Sequence, residues 1–176
     1  MFALLALFLV SGSAHALTPQ RRAVQDGFCA TLKDVVTEVS PNCTLASCDL
    51  NAPQGVLIKC NPEVLGEKLI LVAGIDVCGN PPGANITVGD ASLGIFKSIE
   101  IQGQGKWDVP GLSFDIPHIA SAGVTATYDI STMSDTFAFT LGLQLCGSVL
   151  FETVCLPLTP ISVIDISESV TGLCDG

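Results

Sequence analysis

A serine or cysteine nucleophile needs a base held in place by an acid, and this chain of 176 residues carries only two histidines, His15 and His118. His15 falls in an apolar leader, so His118 is the one imidazole left to serve. It stands in Ile116-Pro117-His118-Ile119, a loop-like stretch, and no Gly-x-Ser-x-Gly elbow follows the leader. A turn or surface role fits it better than general-base work. The 17 Asp and Glu residues include no pair in a setting that marks a glycosidase, and they read as solvent-facing groups on strands. No glycine-rich turn opens onto Lys-Ser or Lys-Thr, and no alternating Asp series ends in Glu, so phosphate and calcium loops are missing. The chain is therefore expected to be no enzyme and to hold no cofactor.

The eight cysteines are the other reactive groups. No Cys-x-x-Cys occurs, and with one histidine left a zinc site would be almost all thiolate, so no metal is expected. An even number of cysteines behind a leader points to disulfides and an oxidising compartment. The leader is the apolar run Met1 to Val10 followed by Ala14-His15-Ala16, the pattern of a signal peptide cleaved after Ala16. Residues 1–16 are read as that peptide and 17–176 as a single secreted β-rich domain. Cys43 and Cys48 form the most plausible local bridge, while Cys29 with Cys155 would tie the ends of the fold together. Spacing alone fixes none of the other connections. The sequons Asn42-Cys43-Thr44 and Asn85-Ile86-Thr87 are candidate glycan acceptors, the first weakened by its central cysteine.

Seven Lys and Arg stand against 17 Asp and Glu, a formal net charge of -10. Nucleic acid and anionic membrane surfaces are poor partners for such a chain, because phosphate binding needs a clustered basic face. After the leader, the most apolar run starts at Leu69 and is broken by Gly74 and Asp76, too short to cross a bilayer.

Two periods organise what remains. Val24, Phe28, Leu32, Val35 and Val39 recur at three- and four-residue steps, the period of a helix over residues 23–39 that Pro41 would end. Gly27 and the β-branched run from Val35 weaken that helix, and a strand starting near Val35 remains an alternative. Beyond Pro53 the period becomes two. Leu69, Leu71, Ala73, Ile75 and Val77 share one strand face, and Phe137, Phe139, Leu141, Leu143 and Leu145 share another. Shorter alternating runs lie at 99–101, 124–130, 149–156 and 161–166. Turn chemistry at 79–83, 103–105, Pro110-Gly111 and 131–135 separates them. The pattern predicts a mainly β domain, an antiparallel two-sheet sandwich or cup held by disulfides, with room for one N-terminal helix.

The positive functional signal is apolar. Trp107 and Phe114 flank Pro110-Gly111, and Phe137, Phe139 and Phe151 lie on strands whose other faces are polar or small. A sandwich needs such residues to fill its core. Alternatively, two sheets held apart by disulfides would enclose an apolar cavity and bury an acyl chain or sterol, at roughly 25 cal/mol per Å² removed from water. On that reading the five aromatics line a lipid site. The competing reading is an extracellular structural or protein-interaction domain with a filled core.

Four stretches resemble the MD-2-related lipid-recognition family. They are Phe28-Cys29 with 39–48, Ile99-Glu100-Ile101 with Asp108-Val109-Pro110-Gly111, Ala126-Thr127-Tyr128-Asp129-Ile130, and Val154-Cys155-Leu156-Pro157-Leu158. The resemblance implies an immunoglobulin-like cup that holds one lipid between its sheets without catalysis. It also implies a Cys29 to Cys155 bridge and a Cys43 to Cys48 bridge. Cys60, Cys78, Cys146 and Cys174 have no counterpart in it.

Overall fold

The computed structural model describes residues 19–52, 54–116, 119–149 and 152–174. The leader, Pro53, Pro117, His118, Leu150 and Phe151 lie outside them. Residues Pro19–Val39 form helix α1. The ambiguity over its second half is resolved by burial: Phe28, Leu32 and Val36, at four-residue steps, are its buried residues, and they carry the helix through Gly27 and the β-branched run. Ser40 N still donates to Val36 O at 3.1 Å. Pro41 then stops the helix, having no N–H to donate and disfavouring helical backbone at the residue before it.

The strands follow as β1 (Cys43–Cys48), β2 (Val56–Cys60), β3 (Glu63–Val64), β4 (Glu67–Lys68), β5 (Ile70–Asp76), β6 (Gly83–Asp90), β7 (Ile95–Gln102), β8 (Gln104–Ile116), β9 (Ile119–Met133), β10 (Thr136–Val149) and β11 (Glu152–Ser169). One antiparallel sheet has the order β1-β2-β5-β6-β7, a second β11-β10-β9-β8, and β3 with β4 makes a small hairpin. The chain passes from the first sheet to the second through Gly103 alone, whose φ of 63° suits glycine and whose carbonyl accepts from Ile130 N at 3.0 Å. A meander that turns over at β7 and β8 leaves β1 and β11 as its outer strands. The helix lies against both. Its end is fixed there by the Ser40 hydroxyl, which donates to Val163 O at 2.6 Å.

Both predicted alternating faces are buried. Leu69, Leu71, Ala73, Ile75 and Val77 belong to the core, as do Phe137, Phe139, Leu141, Leu143 and Leu145. In β8, Pro110-Gly111 is not a turn between strands but a bulge inside one, where the pairing with β9 slips between Asp108 and Ser113. Val109 is buried before the bulge, and Leu112 and Phe114 after it, so the apolar set stays on the core side although five steps of β8 pass against only two of β9. A turn does form after Met133, with Ser134 and Asp135 at φ 46° and 64°.

All eight cysteines pair, but not as the local spacing or the family resemblance implied. The bridges are Cys29–Cys48, Cys43–Cys60, Cys78–Cys174 and Cys146–Cys155. Cys43 and Cys48 are the two ends of β1, and five strand steps of ~3.3 Å put them ~16 Å apart, far outside disulfide reach. Each instead meets what lies beside it. Cys43 is directly opposite Cys60 in β2, and Cys48 faces Cys29 on the helix. Cys155 stands directly opposite Cys146 across the β10–β11 hairpin, so Cys29 and Cys155 do not join. Cys78–Cys174, spanning 96 positions, ties the end of β5 to the C-terminal segment.

Candidate functional site

The strand register places the predicted ligand-lining aromatics in separate rows of the second sheet. Phe139 lies between Ile130 and Ile166, and Phe137 two residues nearer the turn. Trp107 is in the row of Ala126 and Leu143, and Phe114 in the row of Ala122 and Gly147. From Phe137 to the row of Gly147 is ten steps of β10, roughly 33 Å. These side chains share a sheet face without converging on one point. Phe137 is 1% exposed, Phe139 0% and Phe114 9%, while Trp107 is half-buried against the core. Phe151 lies outside the described residues.

Ile58, Leu71, Ala73, Ile75, Ile86 and Val88 of the first sheet have no accessible surface, nor do Val124, Ala126, Phe139, Leu143 and Leu145 of the second. All of them belong to one hydrophobic core together with Phe28, Leu32 and Val36 of the helix.

Open space lies outside. A depression of about 460 Å³ on the outward side of β5, β6 and β7 has Gly74 and Gly83 among its lining, with Gln54, Asp76, Asn85, Glu100 and Gln102 around it. Another, about 590 Å³, lies across β8 to β11 and is lined by Lys106, Thr127, Asp129, Thr140 and Ser162 among others. Near it the Thr125 hydroxyl donates to Asp108 Oδ1 at 2.7 Å. At the seam under the end of α1 a small cavity of about 80 Å³ touches Ser40, Cys43 and Val163. None of these three volumes is lined by Trp107, Phe114, Phe137 or Phe139.

The β6–β7 hairpin ends in an apolar tip, with Leu93 50% and Phe96 49% exposed. Asp90 holds the turn: its Oδ1 accepts from Ser92 N at 2.6 Å, from the Ser92 hydroxyl and from Leu93 N at 3.1 Å. The Ser92 hydroxyl first, and Leu93 N second, hold this carboxyl below the usual aspartate range. Asp49 is lowered in the same way by the backbone and then the side-chain amide of Asn51. Glu168 behaves oppositely. It is half-buried opposite Phe137 in the β10–β11 register, and lost hydration raises its pKa.

Among the described residues no group of three or more His, Cys, Asp and Glu is placed to hold a metal, and no helix is long and apolar enough to cross a membrane. His118, the single candidate base, lies outside them. In the sequence Asn85 is visible only as a sequon, because the lining of the depression beside it comes from three strands and residue 54. The strand alternation did carry a signal, since Gly74, Asn85 and Glu100 all occupy outward positions. No protein-family model matches this chain, and neither a curated protein nor a solved structure matches it.

Proposed function

We propose that this is a secreted structural or protein-interaction domain, a disulfide-braced β-sandwich that works through its outer surface and holds no ligand within. The observation that carries this is the zero exposure of inward side chains from both sheets, Phe139 among them. An acyl chain or sterol needs space between the layers, and the full burial of those side chains supports a filled interior. Secretion is supported by eight cysteines with no free thiol, a state that persists in oxidising compartments. Contact with a protein partner is supported by Leu93 and Phe96, an apolar pair on a tip stiffened by Asp90.

The competing reading, a carrier lined by Trp107, Phe114, Phe137, Phe139 and Phe151, requires the sheets to part. Native mass spectrometry of protein purified from a eukaryotic secretory host separates the two. The mass of polypeptide and covalent additions alone is expected, with Trp107 fluorescence unmoved on titration with a fatty acid or a sterol. A lipid released in stoichiometric amount would overturn the proposal.

A further inference from the structure

We propose that Asn85 is an N-glycosylation site whose first sugar sits in the depression beside it. This rests on the secretion part of the reading above and deepens it. Asn85-Ile86-Thr87 is an acceptor triplet, and the strand alternation aims it correctly: Ile86 is fully buried, so Asn85 and Thr87 face outward. In the folded chain Asn85 is half-buried, flanked by Gly74 on β5 and Glu100 on β7.

The glycines point the same way. Glycine inside a strand weakens it and marks places where another group comes close to the backbone. Neither Gly74 nor Gly83 has a positive φ, so their backbone conformation does not call for glycine. Both line the depression of about 460 Å³, within the ~300–1,000 Å³ of small-molecule sites. Gln54 leans over Gly74, its Cβ 3.3 Å from where a Gly74 side chain would start, and Asp76, Glu100 and Gln102 complete the surround. Amides and carboxylates in that arrangement offer partners to the hydroxyls and acetamido group of an N-acetylglucosamine. The other triplet, Asn42-Cys43-Thr44, has a buried, bridged cysteine at its centre, so sugar transfer there competes with pairing to Cys60.

The modification is a group transfer from a lipid-linked oligosaccharide diphosphate. Asn85 Nδ2 forms a bond to C1 of the first sugar and the bond from C1 to the diphosphate oxygen breaks. The displaced Nδ2 proton passes to a carboxylate of the host transferase, and the lipid diphosphate leaves. The full chain is expressed in a glycosylating eukaryotic host in two versions, one with its own leader and one with a proven foreign leader. Enzymatic deglycosylation in heavy-oxygen water then marks each occupied asparagine as labelled aspartate. In the foreign-leader version a label at Asn85 is expected, with loss of one glycan mass in Asn85→Gln and retention in Thr87→Ser. Secreted protein unlabelled at Asn85 would overturn the site. Failure of only the own-leader version to be secreted would instead refute the secretion reading. For the seat, protein trimmed to one sugar is expected to show nuclear Overhauser contacts from the acetamido methyl to Gly74 and Gln54. A sugar without such contacts would overturn that half.

Discussion

Replacing Phe139 by Ala tests whether the interior is filled. Phe139 has no accessible surface and is fixed on both sides, opposite Ile130 on β9 and Ile166 on β11, each 3% exposed. A buried aromatic removes ~150–250 Å² from water, which at ~25 cal/mol per Å² is about 4–6 kcal/mol. Alanine keeps a little of this, and strands paired on both sides cannot collapse into the hole, so a loss of ~3–5 kcal/mol is expected. Guanidinium unfolding with the disulfides intact, followed through Trp107 fluorescence, reads the loss as a lower midpoint at unchanged slope. Phe96→Ala is the control, expected to cost under ~1 kcal/mol because Phe96 is 49% exposed. Were Phe139 the wall of an empty lipid chamber, its truncation would only enlarge an existing space. A Phe139→Ala cost below ~1 kcal/mol, or one equal to that of Phe96→Ala, would refute the reasoning.

Gly89→Ala should open the β6–β7 hairpin, since a methyl there meets the Phe96 ring and Ile95 O; a cost of ~1–3 kcal/mol in the same unfolding assay is expected. On loop closure, the Cys78→Ser/Cys174→Ser pair should cost about 2 kcal/mol more than Cys146→Ser/Cys155→Ser, because the bridges span 96 and 9 positions; equal midpoint losses would contradict this. Asp90 has a lowered folded-state pKa, so its stabilising contribution is complete above the ordinary aspartate range and disappears as pH falls through the lowered value. Asp90→Asn is thus expected to lower the melting temperature at pH 7 and to converge with the parent in strong acid. Glu168 has the opposite sign: its raised pKa makes the ionised form a liability above that value, so Glu168→Gln should raise the melting temperature at neutral pH and lose the gain below the ordinary glutamate range.

The strand faces were legible because one buried side imposes a period of two, and β5 and β10 kept it without interruption. The helix was legible from the spacing of Val24, Phe28, Leu32, Val35 and Val39, but of these only Phe28 and Leu32 are buried, Val24 and Val39 are exposed, and Val36 from the β-branched run completes the buried stripe against β1 and β11. The bulge at Pro110-Gly111 read as a turn because both features use the same residues, and only pairing with β9 tells them apart. Cysteine pairing was the least legible part. Nearness in sequence favoured Cys43 with Cys48, but once that stretch became a strand its ends were held apart and each cysteine took a cross-strand or helix-borne neighbour. Phe114, Phe137 and Phe139 are buried, yet the spread of their rows along the sheet depends on a register that no local pattern specifies. For the same reason the depression at Asn85 could not be assembled from sequence.

Xenon enters apolar cavities that water leaves empty. Crystals pressurised with xenon therefore give the most direct measurement of whether the two sheets enclose a chamber. No xenon site is expected between the layers around Phe139, Leu143, Ile86 and Leu71, all without accessible surface. An ordered xenon atom among those side chains would contradict the filled interior on which the proposed function depends.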